Sequence, residues 1–212
     1  MRFAALALTL ALPLAAQTTP EGWRWQTDRP SPLAFGEKLP AGAWSVAEMI
    51  PGMHITTGPP VSLIAPGDPA AGRFMVDADL LLFPNSADNG HGVLVGARPE
   101  AQPDRVAPSW IAFLVSGDGK FAVVQRTGGT TTPLVAWTAH DAVVKRGKDV
   151  VTNRLRISVE RDSLRFFANG TRVGAIQRGG LPVDGHVGLR IEEGVNLHVT
   201  NVDVVRRLLK AR

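Results

Sequence analysis

Residues 153–176 read N-R-L-R-I-S-V-E-R-D-S-L-R-F-F-A-N-G-T-R-V-G-A-I. Leu155, Ile157 and Val159 alternate with Arg154, Arg156, Ser158 and Glu160, the period-two pattern of a strand with one buried face. Arg161-Asp162 turns the chain. Ser163 to Ala168 returns, with Leu164 and Phe166 on one face and Arg165 and Phe167 on the other. Asn169-Gly170 turns it again, because this pair accepts the positive φ that a type I′ hairpin needs at both central positions. The segment is therefore predicted to be a three-strand antiparallel meander.

The same grammar runs through the rest of the chain. Strands are predicted at 43–47, 54–57, 61–65, 73–83, 91–98, 109–116, 120–126, 133–138, 186–192 and 195–205, with Gly- and Pro-bearing turns between them. In the longest, Phe74, Val76, Ala78, Leu80 and Leu82 share one face and Met75, Asp77, Asp79, Leu81 and Phe83 the other. Residues 128–132 read as a turn, and 140–149 as a loop with room for one helical turn. No segment carries a helical period of globular length. The fold class is all-β, a two-sheet antiparallel jelly-roll sandwich.

The start of the chain reads differently. Met1-Arg2 is followed by an apolar run from Phe3 to Leu14, then by small residues at Ala15-Ala16. This order is that of a secretory signal peptide, assigned to 1–17. The run is shorter than the roughly 20 residues that span a bilayer. Residues 18–42 form a Pro-rich lead-in whose Trp23 and Trp25 are expected to pack on the domain edge or to form a short first strand. The sandwich is assigned to 43–207 and a basic tail to 208–212. The expected location is secreted or periplasmic, with no membrane span after cleavage. The chain has no cysteine, so neither disulfides nor thiolates take part. The formal net charge of +4 is spread over many strands, and the terminal cluster Arg206, Arg207, Lys210 and Arg212 reads as a solvated tail. No nucleic-acid partner is expected.

Five pieces carry a resemblance: W-I-A-F-L-V-S-G-D-G-K-F-A-V-V-Q-R at 110–126, P-L-V-A-W-T at 133–138, N-R-L-R-I-S-V-E at 153–160, L-R-F-F-A-N-G-T-R-V at 164–173, and G-H-V-G-L-R at 185–190. In their order they resemble the concanavalin A-like lectin/glucanase sandwich. Within it, they are similar to secreted bacterial domains of the 3-keto-disaccharide hydrolase type and to laminin-G-like domains. The resemblance implies carbohydrate binding or glycoside cleavage. The matching pieces are turn and strand signatures, so they imply a fold before they imply a reaction.

Asp77 and Asp79, at i and i+2 on one strand face, are the best carboxylate pair. A retaining glycosidase needs two carboxyls about 5 Å apart. Sandwich glucanases use an E-x-D-x-E-like strand, whereas this chain has M-V-D-A-D-L, with no Glu and no third acid. His91 is a further acid/base candidate. Asp88, Asn89 and Asp184 lie in loops where oxygen ligands could hold calcium, as laminin-G-like domains do. Turn chemistry explains the same residues, and no loop has the dense acidic run that calcium favours. The five histidines form no ligand motif. Trp110 and Trp137 are the candidates for stacking on a sugar ring, with core packing as the alternative for both. Arg126 could pair with an acidic glycan, or it could guard a solvent face. The leading expectation is a carbohydrate-recognition domain without covalent chemistry and without a required cofactor. The alternatives are a 3-keto-glycoside hydrolase or lyase, and an adhesion domain with no small ligand.

Overall fold

The computed structural model describes residues 20–33, 42–98 and 109–206. The signal segment, the tail at 208–212 and part of the lead-in lie outside the described residues. The strands are β1 (Arg24–Thr27), β2 (Ser45–Glu48), β3 (Met53–Thr56), β4 (Val61–Ile64), β5 (Phe74–Leu82), β6 (His91–Ala97), β7 (Trp110–Val115), β8 (Lys120–Thr127), β9 (Thr130–Ala139), β10 (Val151–Val159), β11 (Ser163–Ala168), β12 (Thr171–Gln177), β13 (His186–Ile191) and β14 (Asn196–Arg206). They form two seven-stranded sheets, ordered β1-β4-β13-β6-β7-β8-β9 and β12-β11-β10-β5-β14-β3-β2. All strand pairings are antiparallel. Sequence-distant strands lie side by side: β5 sits between β10 and β14, and β13 between β4 and β6. This interleaving makes the sandwich a jelly roll, with no helix among the described residues.

The alternation read in β5 is the alternation observed. Phe74, Val76, Ala78, Leu80 and Leu82 are all buried in one core shared by both sheets. Phe113 of the first sheet meets Phe166 of the second with ring centroids 5.3 Å apart. Each such buried aromatic contributes about 1.5–3 kcal/mol. With no disulfide to help, this inter-sheet burial is what holds the two layers together.

The meander forms as expected, with Leu155 opposite Ala168 and Val159 opposite Leu164. Asn169 does more than turn the chain. It sits at φ 52°. Its Oδ1 accepts from the Arg154 N–H at 2.8 Å. Its Nδ2 donates to the Ala142 carbonyl at 2.8 Å and to Asn153 Oδ1 at 2.9 Å. Buried Asn153 in turn exchanges two bonds with the Val144 backbone. The hairpin tip therefore pins the 140–150 loop. Asn169→Ala is expected to cost about 2–3 kcal/mol, through lost hydrogen bonds and a left-handed backbone without its best residue. Asn169→Gly keeps the backbone and loses only the bonds, so urea unfolding should place it about 1 kcal/mol above the alanine variant.

One detail differs from the sequence reading. The turn expected over 128–132 shrinks to Gly128-Gly129, at φ 56° and 91°. Two glycines supply both positive φ angles, so no further residue is needed. β9 therefore starts at Thr130 and carries Pro133 inside it, which an edge strand tolerates. The lead-in supplies the short first strand expected around Trp25: β1 pairs with β4, and Trp25 packs edge-on against buried Trp44 with centroids 4.9 Å apart.

Candidate functional site

On β7, Ile111, Phe113 and Val115 enter the shared core. Trp110, Ala112 and Leu114 point the other way, onto the outer face of the first sheet. There they join Ile64, Leu94, Ala97 and Val124 in a second apolar cluster. Trp137 of edge strand β9 belongs to this face. Its indole lies over Gly90 and Leu114: a Cβ at position 90 would stand 3.1 Å from indole Cη2 and 3.2 Å from Leu114 Cδ1. Glycine at 90 thus lets the ring settle against the sheet. Trp137 keeps 45% exposure, so the outer face carries an aromatic residue open to solvent.

Four loops meet around this end of the sandwich. The Gly117 N–H donates to the Asp88 carbonyl and the Arg146 N–H to the Gly117 carbonyl. Arg146 Nε reaches Asp88 Oδ1 at 2.7 Å, and Arg146 Nη1 reaches the Pro84 carbonyl at 2.8 Å. Asn89 Nδ2 donates to the Glu193 carbonyl at 2.7 Å, and Arg29 pairs with the Glu193 carboxylate at 2.8 Å. The Glu192 N–H donates to the Gly90 carbonyl. Trp137 is therefore set beside a hydrogen-bonded polar rim.

Further along the same face two buried arginines form an ionic cluster with partly exposed carboxylates. Asp28, just past β1, accepts from Arg190 Nη1 at 2.7 Å, Arg190 Nη2 at 2.6 Å and Arg126 Nη1 at 2.9 Å. Arg190 also holds Glu192 through Nε at 2.9 Å, and its guanidinium sits 5.1 Å from the Trp110 ring centroid. Burial pushes the Asp28 pKa up, but the Arg190 hydrogen bond and the positive fields of Arg190 and Arg126 outweigh it. The carboxyl therefore lies below its usual value.

This geometry sorts the sequence candidates. Trp110 is fully buried beneath Arg190 and has no face to offer a sugar. Arg126 is buried and engaged by Asp28, so it is neither a glycan ligand nor a solvent guard. Trp137 is exposed and keeps its place. Asp77 and Asp79 share a face as expected, on the outside of the second sheet. Each is matched across the strand by its own arginine, Arg156 to Asp77 at 2.7 Å and Arg154 to Asp79 at 3.5 Å. Each carboxylate is thus occupied by an arginine of the neighbouring strand. His91 follows the inward parity of Val93 and Val95 and is fully buried, out of reach of a substrate. Asp88 is held by Arg146 and the Asn89 side chain by a backbone carbonyl. Asp184 is held by Arg178 and the Gly72 N–H at the opposite end of the sandwich. The three calcium candidates therefore do not converge. Among the described residues, no group of three or more His, Cys, Asp or Glu side chains could hold a metal.

Asp28, Arg190 and Gly90 were not singled out from sequence. Arg190 alternates with buried Leu189 and Ile191 on β13, a pattern that gives its direction and is silent on its burial. Asp28 lies in a Pro-rich stretch that carries no pairing signal.

No family model and no curated protein matches the sequence. Solved structures do match the fold. The carbohydrate-binding module CBM66 from Bacillus subtilis has a TM-score of 0.62 at 12% identity, covering 85% of this chain and 94% of that one. The VIP36 exoplasmic/lumenal domain, in a Ca2+/Man-bound form, has a TM-score of 0.58 at 12% identity, covering 90% and 85%. A Bacillus subtilis protein of unknown function with a galectin-like fold has a TM-score of 0.51 at 14% identity, covering 74% and 84%. At these identities the likeness is one of fold: the two seven-stranded antiparallel sheets of this chain pack as a β-sandwich of the concanavalin A-like, galectin-type fold.

Proposed function

We propose that the chain is a carbohydrate-recognition domain acting outside the cytoplasm, without covalent chemistry, and that a sugar ring docks on Trp137. The observation that carries this reading is the half-exposed Trp137, whose indole rests against Gly90 beside Leu114. An indole face is a broad apolar plate matched to the C–H face of a pyranose, and the polar rim beside it supplies donors and acceptors for hydroxyls. Two structures of similar fold support the reading: one is named a carbohydrate-binding module, and the VIP36 domain is in a Ca2+/Man-bound form. The signal-like segment 1–17 supports the extracytoplasmic placement. The arginine pairing of Asp77 and Asp79 favours recognition over hydrolysis.

The test is a glycan array on the processed protein, followed by calorimetry on the best ligand. Trp137→Ala is expected to cost about 2 kcal/mol, roughly thirtyfold in Kd, with an unchanged circular dichroism spectrum. Gly90→Leu retains the indole and lifts it off the sheet, and should weaken binding by a similar factor. Silence across neutral and acidic glycans, or wild-type affinity in both variants, overturns the reading and favours an adhesion role.

A further inference from the structure

The opposite end of the sandwich holds a groove of about 580 Å³. Gly90, under Trp137, precedes the first residue of β6; Arg98, in the groove, follows its last. The seven residues of β6 therefore separate the two places by about 20 Å. Arg24 at the start of β1, Arg98, His186 at the start of β13, Asp184, Gly185 and Ala71 line it. Its wall is fixed backbone. Ala70 and Gly185 exchange two hydrogen bonds at 2.7 and 2.9 Å, and a Cβ at Gly185 would stand 2.7 Å from the Ala97 carbonyl oxygen.

The charges around the groove are uneven. Asp184 is already engaged, accepting from Arg178 Nη2 and the Gly72 N–H, both at 3.0 Å. Arg206 is spent on the Asp68 carbonyl at 2.9 Å. Arg24 and Arg98 have no hydrogen-bond or ion-pair partner among the described residues. His186 sits beside them. Burial first, and then the positive field of Arg24, hold its imidazole below the usual pKa, against a hydrogen bond to the Gly67 backbone and the field of Asp68. The surplus charge in the groove is therefore that of the two guanidiniums. A guanidinium offers a planar fork of donors that matches a carboxylate or sulfate edge.

We propose that this groove binds an oxyanion, the carboxylate or sulfate carried by an acidic sugar, clamped between Arg24 and Arg98. The site is independent of Trp137 and stands or falls without it.

The experiment follows the His186 imidazole signals by NMR while the processed protein is titrated at fixed ionic strength. One arm uses tetragalacturonate and the other potassium sulfate. The expected result is a saturable His186 shift with tetragalacturonate that survives in Trp137→Ala. In the Arg24→Gln and Arg98→Gln single variants it should weaken by roughly tenfold or more each. Both arginines are exposed, so the variants should keep the wild-type circular dichroism spectrum. Saturation by sulfate as tight as by the oligosaccharide overturns the sugar assignment and leaves a free-anion site. No shift in either arm, or a shift unchanged when both arginines are replaced, overturns the groove altogether. Loss of the shift in Trp137→Ala alone would show that the two ends are one site, contrary to the proposal.

Discussion

Asp28→Ala is expected to lower the free energy of unfolding at pH 7 by about 3 kcal/mol or more. The reason is the company Asp28 keeps. The Arg126 and Arg190 side chains are 7% and 3% exposed, and both lie on a sheet face floored by Trp110, Leu94 and Ala112. A guanidinium taken from water to such a place must find its charge matched and its donors used. Glu192 still serves Arg190 when Asp28 is gone. Arg126 retains only a 3.4 Å contact to Thr131 Oγ1, and its Nε already lacks a partner. Most of the loss should therefore trace to Arg126. Arg126→Leu in the Asp28→Ala background removes the stranded charge and should recover at least 1 kcal/mol. Urea unfolding of the two single variants and the double variant closes the cycle. A loss below 1 kcal/mol for Asp28→Ala, or no recovery in the double variant, would show that water reaches Arg126.

The same cluster shows what a sequence can and cannot convey here. Strand alternation is legible because each strand repeats its inward choice every second residue, so β5 and the meander could be read residue by residue. Side-chain direction follows from that parity, and Asp77 with Asp79 do share a face. Their meaning depends on Arg154 and Arg156, which reach them only because β10 pairs with β5 across a gap of 79 residues between Asp77 and Arg156. Trp110 and Trp137 look alike in sequence, each a lone indole in an apolar strand. Sheet order separates them: β7 lies inside its sheet and β9 at the edge. Burial of the outward arginines is set by a segment that folds over the sheet from the lead-in, where the Asp28 N–H donates to the Pro60 carbonyl. No local pattern announces such a contact, since nothing in the residues near Asp28 depends on it.

The second large effect is on acid stability, and it belongs to His91. Its Nδ1 lies 3.2 Å from the Asn89 carbonyl, and its Nε2 is buried without a partner. Nδ1–H therefore donates and Nε2 carries a bare lone pair, an arrangement that suits a neutral ring and leaves a second proton nowhere to bond. Burial drives the His91 pKa down to about 4, against a smaller opposing contribution from the Asn89 hydrogen bond. In the unfolded chain the same ring titrates near 6.5. The unfolded state thus gains a proton first as pH falls, and folding loses free energy from about pH 6.5 down to about pH 4, where the folded form also protonates. The loss across that window is roughly 3 kcal/mol. His54 and His186 are lowered in the same direction and add to the slope. Asp28, whose pKa is depressed, withdraws its stabilisation only at lower pH, below the ordinary carboxylate value near 4, so the two contributions separate on the pH axis. Urea midpoints measured from pH 7 to pH 4 should fall steeply in the wild type, and His91→Phe should flatten the upper part of that curve. If His91→Phe does not fold, direct titration of the His91 ring by NMR decides the matter. A midpoint near 6.5 in the native protein would mean the ring is hydrated, and the acid lability would have to come from elsewhere.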